Sequence, residues 1–344
     1  MHTPDSDDTA VRLWLLAFGT CLALVAALLV WTVLTPPFQG DLTRIGRLSE
    51  TAFGPTVQAT TTDPALRVSS ALDEAEVLVI GDSFSAPLRW QAVLVAQGMK
   101  VATVHWETLG PVCADLESLL RRQGFRGTTV VIESVERALD DRLDRSLACA
   151  ARQDPHPLQT RHVARDRETA GAFGLNTRES LFTGLLTTLH TWKALHTDAP
   201  EVVNRHDGAE QVRIQRLPGG CQRFSHHACD RGLFFAQDRT APPFSPAMVE
   251  RMQRISARHP GLAITWLVVP NKTSVYLEPD RATGIGTVLE RAGLGPDLFS
   301  HFVRLSRQTR DLYSPNDTHT SAQGHRAIGQ RLLDWLDTQA HRNP

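Results

Sequence analysis

The stretch Val77-Leu-Val-Ile-Gly-Asp-Ser-Phe-Ser85 is the part of the sequence from which the fold can be predicted. Its four leading apolar residues are typical of a buried strand, which Gly81-Asp82 brings to an end. From Phe84 to Gln97 apolar residues recur at helical spacing, so the pattern predicts a strand, a tight turn and a helix. Ser83 then lies at the carboxyl end of a strand, where open α/β sheets bind ligands. It also lies near a helix N-terminus that could stabilise an oxyanion.

A serine hydroxyl needs a base before it acts as a nucleophile, and the end of the chain contains one. Asp317 and His319 lie in the turn-rich segment Ser314–Gly324. Residues two apart in an extended stretch point the same way, so Asp317 can bind one imidazole nitrogen and leave the other facing Ser83. The three residues are therefore a candidate catalytic triad. The alternatives are a plain turn in which Asp82 caps the following helix and a histidine with a structural or surface role.

The start of the chain has the composition of a membrane anchor. Leu13–Leu34 contains no charged residue, and a helix of that length spans a ~30 Å hydrocarbon core. Trp14 and Trp31 lie near its two ends, as interfacial aromatic residues do. We expect an uncleaved transmembrane helix at residues 13–34 after a short tail, 1–12. A cleaved signal peptide and a buried soluble helix are the alternatives, and the flanking arginines do not decide the orientation.

Charge and cysteine content narrow the function further. The 344 residues carry a formal net charge of −1, which argues against nucleic acid as a partner because phosphate binding needs a basic surface. Outside the anchor, an oxidising compartment would favour disulfides, with Cys221–Cys229 and Cys113–Cys149 our preferred pairs among three pairings. Four reduced cysteines are the alternative. A zinc site at His226-His227 beside Cys229 is less favoured than a solvated loop, and we expect neither metal nor cofactor.

The rest of the chain alternates between strand and helix patterns. Residues 35–75 have the composition of a polar connector, and residues 76–344 that of one domain. Further strands are predicted at 100–106, 128–133 and 261–270, with a short last strand at Leu312-Tyr313 and a closing helix at 322–339. This order indicates βαβ units around a parallel sheet. Between about 140 and 241 it lapses, and we expect an insertion over the carboxyl edge of the sheet, with an amphipathic helix near 179–196.

Four stretches give the chain a family resemblance: Gly81–Ser85, Ile132–Arg137, Val269–Tyr276 and Asn316–Thr320. Gly-Asp-Ser followed late in the chain by Asp-x-His resembles the SGNH/GDSL hydrolase superfamily. Within it, the chain is most similar to the alginate O-acetyltransferase (AlgX/AlgJ-like) SGNH domains. The resemblance covers roughly residues 38–338 and implies a flavodoxin-like three-layer α/β fold with a central parallel sheet.

Two further stretches, Gly40–Gly46 and Cys221–Ser225, resemble the family less specifically. The chain also departs from its pattern in two ways. The Asp-x-His block follows the serine block, as in ordinary SGNH hydrolases, and Thr320 stands where a tryptophan often follows the histidine.

The resemblance implies an O-acetyltransferase that modifies an exopolysaccharide or another envelope glycan through an acetyl-serine intermediate. Ser83 would be the nucleophile, His319 the base and Asp317 the orienting carboxylate. The domain would face the periplasm from the inner membrane, with a polysaccharide as acceptor and a multipass acetyl-transporting membrane protein as partner. An envelope carbohydrate acetylesterase with the same triad and a non-catalytic glycan-binding scaffold are the alternatives.

The oxyanion of acyl transfer needs hydrogen-bond donors. We expect the backbone N–H groups around Ser83 and Phe84 to supply them. SGNH enzymes usually add a glycine and an asparagine. Gly110 could be the glycine, but no asparagine follows the third predicted strand.

Three more residues are candidates for substrate contact. Arg137 could donate to the oxyanion or bind an acidic sugar, and a structural ion pair with Glu133 or Glu136 is the alternative. Lys272 and Tyr276 could line the acceptor groove, with helix capping and core packing as alternatives.

Overall fold

The structure is a computed structural model that describes residues 4–57, 61–152, 157–160, 175–177, 179–205 and 210–342. It begins with a long helix, α1 (Pro4–Leu34). The segment Asp8–Leu34 is long and apolar enough to cross a membrane, and its most apolar stretch is not buried against the rest of the protein. The predicted apolar helix is therefore present, with the length and composition of a single membrane span.

In the described residues, seven strands form two sheets. They are β1 (Val77–Gly81), β2 (Val101–His105), β3 (Thr129–Val135), β4 (Glu201–Arg205), β5 (Gln211–Arg216), β6 (Arg231–Phe235) and β7 (Ala263–Val269). The central sheet has the order β2-β1-β3-β7, and all its pairings are parallel. The predicted α/β class with a parallel sheet is confirmed.

Thirteen further α-helices occur in the described residues. They are α2 (Asp41–Gly46), α3 (Glu50–Phe53), α4 (Gln91–Ala96), α5 (Trp106–Leu109), α6 (Leu116–Arg122), α7 (Glu136–Ala148), α8 (Thr183–His196), α9 (Gly220–Arg223), α10 (Pro246–Ser256), α11 (Lys272–Tyr276), α12 (Pro279–Arg291), α13 (Leu298–Leu305) and α14 (Ala322–Arg342). Two short 3-10 helices cover Pro64–Leu66 and Ala236–Arg239.

Both faces of the central sheet are covered, because alternate residues of a strand point to opposite sides. Along β1, Leu78 and Ile80 join an apolar cluster with α6, α7, α10 and α12, whereas Val77 and Val79 join one with α4 and α14. Full burial of such side chains stabilises a fold by roughly 1.5–3 kcal/mol each. The sheet is thus a rigid layer from whose carboxyl edge the following turns project.

The structure corrects the prediction of a helix directly after Ser83. Residues 83–90 form turns, and α4 begins only at Gln91. Leu88 has φ 55, a left-handed conformation that a continuous helix cannot contain. Ser83 therefore lies on a tight turn and not at a helix N-terminus.

The predicted last strand is also wrong. Leu312 and Tyr313 are buried, but they join neither sheet, and Tyr313 forms only an isolated bridge with Thr320. The segment folds back on itself because the Ser314 N–H donates to the His319 carbonyl, and the Ser321 N–H donates to that of Leu312. These residues form a loop that presents Asp317 and His319.

The expected polar connector is packed over much of its length. Leu42, Leu48 and Phe53 are fully buried, and with α8 they form a third apolar cluster against the second sheet. The burial of these apolar residues was not predicted, because they are spaced widely along a segment rich in Pro and Thr. The globular part of the protein therefore begins well before residue 76.

The second sheet, antiparallel in the order β4-β5-β6, lies within the expected insertion and was not predicted. The alternation of Val212 and Ile214 with polar neighbours in β5 is its signal in the sequence. The insertion contacts residues that follow the carboxyl ends of β3 and β7, since Asp238 accepts hydrogen bonds from Arg137 and Thr273.

Both preferred cysteine pairs are disulfides in the structure, Cys113–Cys149 and Cys221–Cys229. The first links the segment after α5 to the end of α7, and the second closes a short loop of the insertion. Because the Cys229 sulfur is in a disulfide, it is not available as a zinc ligand beside His226-His227.

Candidate active site

The turn that carries Ser83 is held by the aspartate before it. The Asp82 carboxylate accepts hydrogen bonds from the N–H groups of Phe84 (2.9 Å) and Val135 (3.0 Å) and from Arg142 Nη1 (2.7 Å). Burial opposes ionisation of Asp82, but the Arg142 charge and these donors hold its pKa below the usual value. The turn is thereby tied to β3 and α7, while the Ser83 side chain stays exposed.

Ser83, His319 and Asp317 come together as the sequence predicts. His319 Nε2 lies 2.8 Å from Ser83 Oγ, and its Nδ1 lies 2.6 Å from Asp317 Oδ1. Asp317 Oδ1 also accepts the His319 backbone N–H at 2.8 Å, so Asp317 holds both the backbone and the imidazole of His319. A proton on Nδ1 leaves Nε2 as an acceptor for the serine hydroxyl, the tautomer that a general base requires.

Asp317 determines the electrostatics of this histidine. Burial alone would lower the pKa of His319, but the hydrogen bond and charge of Asp317 outweigh it and raise that pKa. Burial likewise opposes ionisation of Asp317, yet the bond to His319 holds the pKa of the carboxyl well below its usual range. Asp317 therefore stays ionised and stabilises an imidazolium whenever His319 accepts a proton.

A second carboxylate, Asp41, supports the base and was missed from the sequence. Asp41 Oδ1 accepts the Thr318 N–H at 2.8 Å, and its other oxygen accepts the Thr318 hydroxyl. The Asp41 N–H donates to Asp317 Oδ2 at 3.1 Å, and its Oδ2 lies 3.8 Å from His319 Nδ1. Burial and the nearby Asp317 charge raise the pKa of Asp41 to about 6.

The residues around Asp41 bring α2 close to the loop that carries Asp317 and His319, which we call the histidine loop. The N–H groups of Leu42 and Thr43 donate to the Asn316 carbonyl, and Glu50 accepts from the Asn316 side chain at 2.7 Å. A Cβ on Gly40 would lie 2.0 Å from the Asn316 oxygen, so only glycine fits there. The stretch Gly40–Gly46, which resembles the family only weakly, was the available signal for this contact.

Lys272 is buried beneath the histidine loop and donates hydrogen bonds to it. It does not line a groove, so the sequence prediction for this residue is corrected. It is 1% exposed, and its Nζ donates to the carbonyls of Ser314 (2.8 Å), Pro315 (2.9 Å) and Asp317 (3.2 Å). An ammonium has the three N–H donors that this arrangement uses. Burial lowers the pKa of Lys272 to about 7, although the charges of Asp317 and Asp41 act in the opposite direction.

Tyr276 is likewise a core residue and not a groove residue. It is 3% exposed, and its ring packs 4.8 Å from Phe224 and 6.0 Å from Tyr313 between ring centroids. Core packing, the plain alternative, is what the structure shows for this side chain.

Two of the expected oxyanion donors are already occupied. The Phe84 N–H donates to Asp82, and the Gly110 N–H donates to the Trp106 carbonyl at 2.7 Å, where it closes α5. Among the described residues, the Ser83 N–H has no acceptor and is the backbone donor left beside the nucleophile.

Arg137 lies beside the site, with a partner that the sequence did not suggest. Its Nη1 lies 3.5 Å from both Asp238 Oδ1 and Asn271 Oδ1, and its guanidinium lies 5.3 Å from the centre of the Phe235 ring. The predicted alternative, an ion pair with Glu133 or Glu136, is therefore wrong.

Glu133 and Glu136 are instead buried acceptors of hydrogen bonds from neighbouring segments. Glu133 accepts from the Asp82 N–H (2.8 Å) and the Ser85 hydroxyl (2.7 Å), and Glu136 accepts from the Asn271 N–H and the Ser274 hydroxyl. Burial and the neighbouring Asp82 charge raise the pKa of Glu133 well above its usual value. Neither carboxyl neutralises Arg137, whose side chain stays partly exposed near His319.

Asp41, Asp317 and His319 also form a group whose ligand atoms lie within 4.8 Å of one another, as a metal site would require. The hydrogen bond from His319 Nδ1 to Asp317, with Nε2 directed at Ser83, accounts for this proximity without an ion.

No protein-family model, curated protein or solved structure matches this chain. The chemistry of the site therefore has to be inferred from its own geometry and from the sequence resemblance.

Proposed function

We propose that the protein is a serine-dependent acyltransferase whose nucleophile is Ser83. The observation that carries this proposal is the pair of distances at His319, 2.8 Å from Nε2 to the exposed Ser83 hydroxyl and 2.6 Å from Nδ1 to Asp317. An exposed hydroxyl, an imidazole that can accept its proton and a carboxylate that orients the imidazole, in that order, are what nucleophilic acyl transfer requires.

In the first half of the proposed reaction, His319 Nε2 accepts the Ser83 proton while Oγ attacks the carbonyl carbon of an acetyl ester. The tetrahedral oxyanion is stabilised by the Ser83 N–H, and the imidazolium is stabilised by Asp317. His319 then returns the proton to the leaving oxygen as the ester C–O bond breaks, which leaves acetyl-Ser83.

In the second half, His319 removes a proton from an acceptor hydroxyl, whose oxygen attacks the acetyl carbonyl. His319 then donates that proton to Ser83 Oγ as the bond between Oγ and the acetyl carbon breaks, which restores the serine hydroxyl. A sugar hydroxyl gives O-acetyl transfer and water gives hydrolysis. We propose transfer to an exopolysaccharide or another envelope glycan, on the strength of the resemblance to the alginate O-acetyltransferase-like SGNH domains. Because Ser83 is exposed, a carbohydrate acetylesterase is the second candidate.

The proposed setting is the inner membrane with the catalytic domain in the periplasm. Two disulfides suit an oxidising compartment, and α1 has the length of a membrane span. The strand order β2-β1-β3-β7 begins as flavodoxin-like sheets do, which supports the proposed SGNH-type fold. A multipass membrane protein that supplies acetyl groups is the proposed partner, by analogy with the family.

Arg137 is the proposed recognition residue for an acidic acceptor. Its side chain is 19% exposed, and its charge is close enough to His319 to oppose the rise in the pKa of that histidine that Asp317 causes. R137Q should raise KM for an oligouronate acceptor and leave KM for a neutral oligoglucan unchanged, because only the former carries a carboxylate to pair. R122Q, on the exposed arginine of α6, is the matched control.

The test of the proposed reaction is incubation of the full chain with a chromogenic acetyl ester, followed by mass spectrometry of its peptides. An adduct of about 42 Da on the Ser83 peptide is expected, and S83A should carry none. Addition of oligosaccharide then separates acetylated glycan from free acetate, which distinguishes transferase from esterase.

A non-catalytic glycan-binding scaffold makes the opposite prediction. It would give no adduct, and S83A would leave glycan acetylation in cells unchanged. Either result would overturn the enzyme proposal.

A further inference from the structure

The face of α8 that turns away from the protein is apolar. Phe182, just before the helix, Leu189 and Trp192 are 51%, 50% and 60% exposed. Leu185 and Leu186 lie between them and are partly exposed, so the five side chains follow one another at helical spacing along one side. We refer to these five residues as the α8 apolar face. Large apolar side chains grouped in this way usually mark a surface that is covered in the functional protein.

The start of α8 is joined to the end of α1, the helix that is long enough to cross a membrane. The Thr32 hydroxyl donates to the Leu181 carbonyl at 2.8 Å and accepts the Gly184 N–H at 3.0 Å. A Cβ on Gly184 would lie 2.9 Å from the Thr32 backbone, so the two helices touch. Phe182 is therefore at the level of Trp31, an exposed residue in the last turn of α1.

That level corresponds to the boundary of a bilayer. A helix of 27 residues such as Asp8–Leu34 exceeds a ~30 Å hydrocarbon core, so its last turn reaches the headgroups. Tryptophan is enriched at this depth because one part of the indole is apolar and the N–H prefers water. Trp31 fits that position, and Trp192 is a second exposed tryptophan on the same side of α8 as Phe182.

The charge of α8 suits a lipid surface. Within α8 itself the chain has no carboxylate side chain, and Lys193 and His196 are exposed at the end of the helix, while Glu179 and Asp198 lie outside it. Anionic headgroups attract lysine and would repel aspartate or glutamate. An apolar face with cationic residues at its side is the pattern of a helix that lies in a membrane interface.

The opposite face of α8 is fixed to the protein. The Ser49 N–H donates to the Thr191 hydroxyl at 2.9 Å, and His190 Nδ1 lies 3.3 Å from the Gly46 carbonyl at the end of α2. Ala194 is fully buried in the cluster with the second sheet. The apolar face is therefore held rigidly and is not free to turn inward.

We infer that α8 lies in the headgroup region of the leaflet where α1 ends, with the α8 apolar face directed at the acyl chains. The inference rests on the proposed membrane insertion of α1 and extends it, because the catalytic domain would be docked on the bilayer by two elements and not tethered by one.

The test uses the full chain in nanodiscs of phosphatidylcholine and phosphatidylglycerol. In a C21S background, W192C is labelled with an environment-sensitive dye, since the other cysteines are in disulfides. Lipids that carry a spin label near the headgroup should quench this dye several-fold more than a dye at E250C, an exposed position on α10. The combined substitution F182E/L189E should remove the difference, and because both side chains are exposed the protein should remain folded.

The outcomes separate the inference from the proposals on which it rests. If alkaline carbonate extracts the chain from membranes, α1 is not inserted and the inference falls with that part of the proposal. If the chain resists extraction but the two dyes are quenched equally, the membrane placement stands and the α8 inference is overturned, with a partner protein or a second copy as the occupant of the face. The acetyl adduct on Ser83 reports the proposed chemistry independently of either result.

Discussion

The two halves of the candidate site are built in different ways. The turn that carries Ser83 is held by its own sheet, since Asp82 bonds to β3 and α7. The loop that carries His319 has no strand of its own in the sheet. It is held from below by Lys272, after β7, and from the side by Asp41, in α2. Ser83, the proposed nucleophile, is therefore positioned by adjacent secondary structure, and His319, the proposed base, by contacts between distant parts of the chain.

Removal of the triad itself should have the largest effect in either half. S83A, H319A and D317N should each lower kcat by about 10^4-fold or more, because each removes one member of a unit that acts together. Hydrolysis of the chromogenic acetyl ester measures this. H341A, on an exposed histidine of α14, is the matched control and should keep full activity. A D317N variant with near-normal kcat would show that His319 is oriented by something else.

K272M tests the support below the base. The three loop carbonyls lose their common donor, and a displacement of about 1 Å in His319 can cost about 10^2-fold in kcat. The apolar replacement fits the buried stem, so the protein should stay folded by circular dichroism. K100M, on an exposed lysine, should be normal. A folded K272M protein with full activity would contradict the proposed role.

D41N tests the lateral support. It weakens the acceptor of the Thr318 N–H and hydroxyl, and a charged hydrogen bond of about 1.5 kcal/mol corresponds to a tenfold loss. Because the pKa of Asp41 is raised to about 6, wild-type Asp41 is neutral below that pH. The activity ratio of wild type to D41N should accordingly be larger above pH 6 than below it. A ratio independent of pH would exclude the Asp41 charge as the cause.

The wild-type pH profile should report both the ionisation of His319 and that of its support Lys272. The general base works as neutral imidazole, so kcat/KM should rise with pH through the raised pKa of His319. It should fall by a few-fold above about pH 7, where Lys272 loses its proton and one of its three N–H donors. Ester hydrolysis between pH 5 and pH 9 measures the profile, with no falling limb expected for K272M. A wild-type plateau up to pH 9 would oppose this assignment.

E133Q addresses the nucleophile half and should have the smallest effect. Burial raises the pKa of Glu133 well above its usual value and so favours the uncharged acid, which glutamine resembles in shape and charge. Activity should change little. With its pKa raised in the folded state, Glu133 favours folding at low pH, and that contribution is lost as pH rises from about 4.5 towards the folded pKa. Thermal unfolding of E133Q should lack this decline, and a severe loss of activity would indicate an ionised Glu133.

The difference between local and long-range contacts in the site also explains which of its residues could be predicted from the sequence. Ser83, with the strand before it, and the Asp317/His319 pair were found because each lies in a short stretch whose residues act locally. Asp41 and Lys272 were not recognised as supports of the loop, since their partners lie far away along the chain and no periodicity connects them. The apolar helix was predicted correctly because it is long and uniformly apolar, and the closing helix because its apolar residues recur at helical spacing.

The incorrect predictions also have particular causes. The helix after Ser83 failed because Leu88 adopts a left-handed conformation despite the continuous apolar spacing around it. The strand prediction at Leu312-Tyr313 failed because two apolar residues indicate burial but not sheet pairing, and these two are buried in a loop. Gly110 failed as an oxyanion donor because its N–H is used to end α5, a four-residue helix too short to recognise from spacing.

Because Asp41 contacts the histidine loop, the distance between the end of α1 and the candidate site is limited. Seven residues lead from Leu34, the end of α1, to Asp41, and an extended chain of that length covers at most about 25 Å. On the proposed membrane placement, the candidate site lies within about that distance of the lipid, and the proposed acetyl transfer would take place there. On that placement, an acceptor would have to come within about the same distance of the membrane surface to reach Ser83.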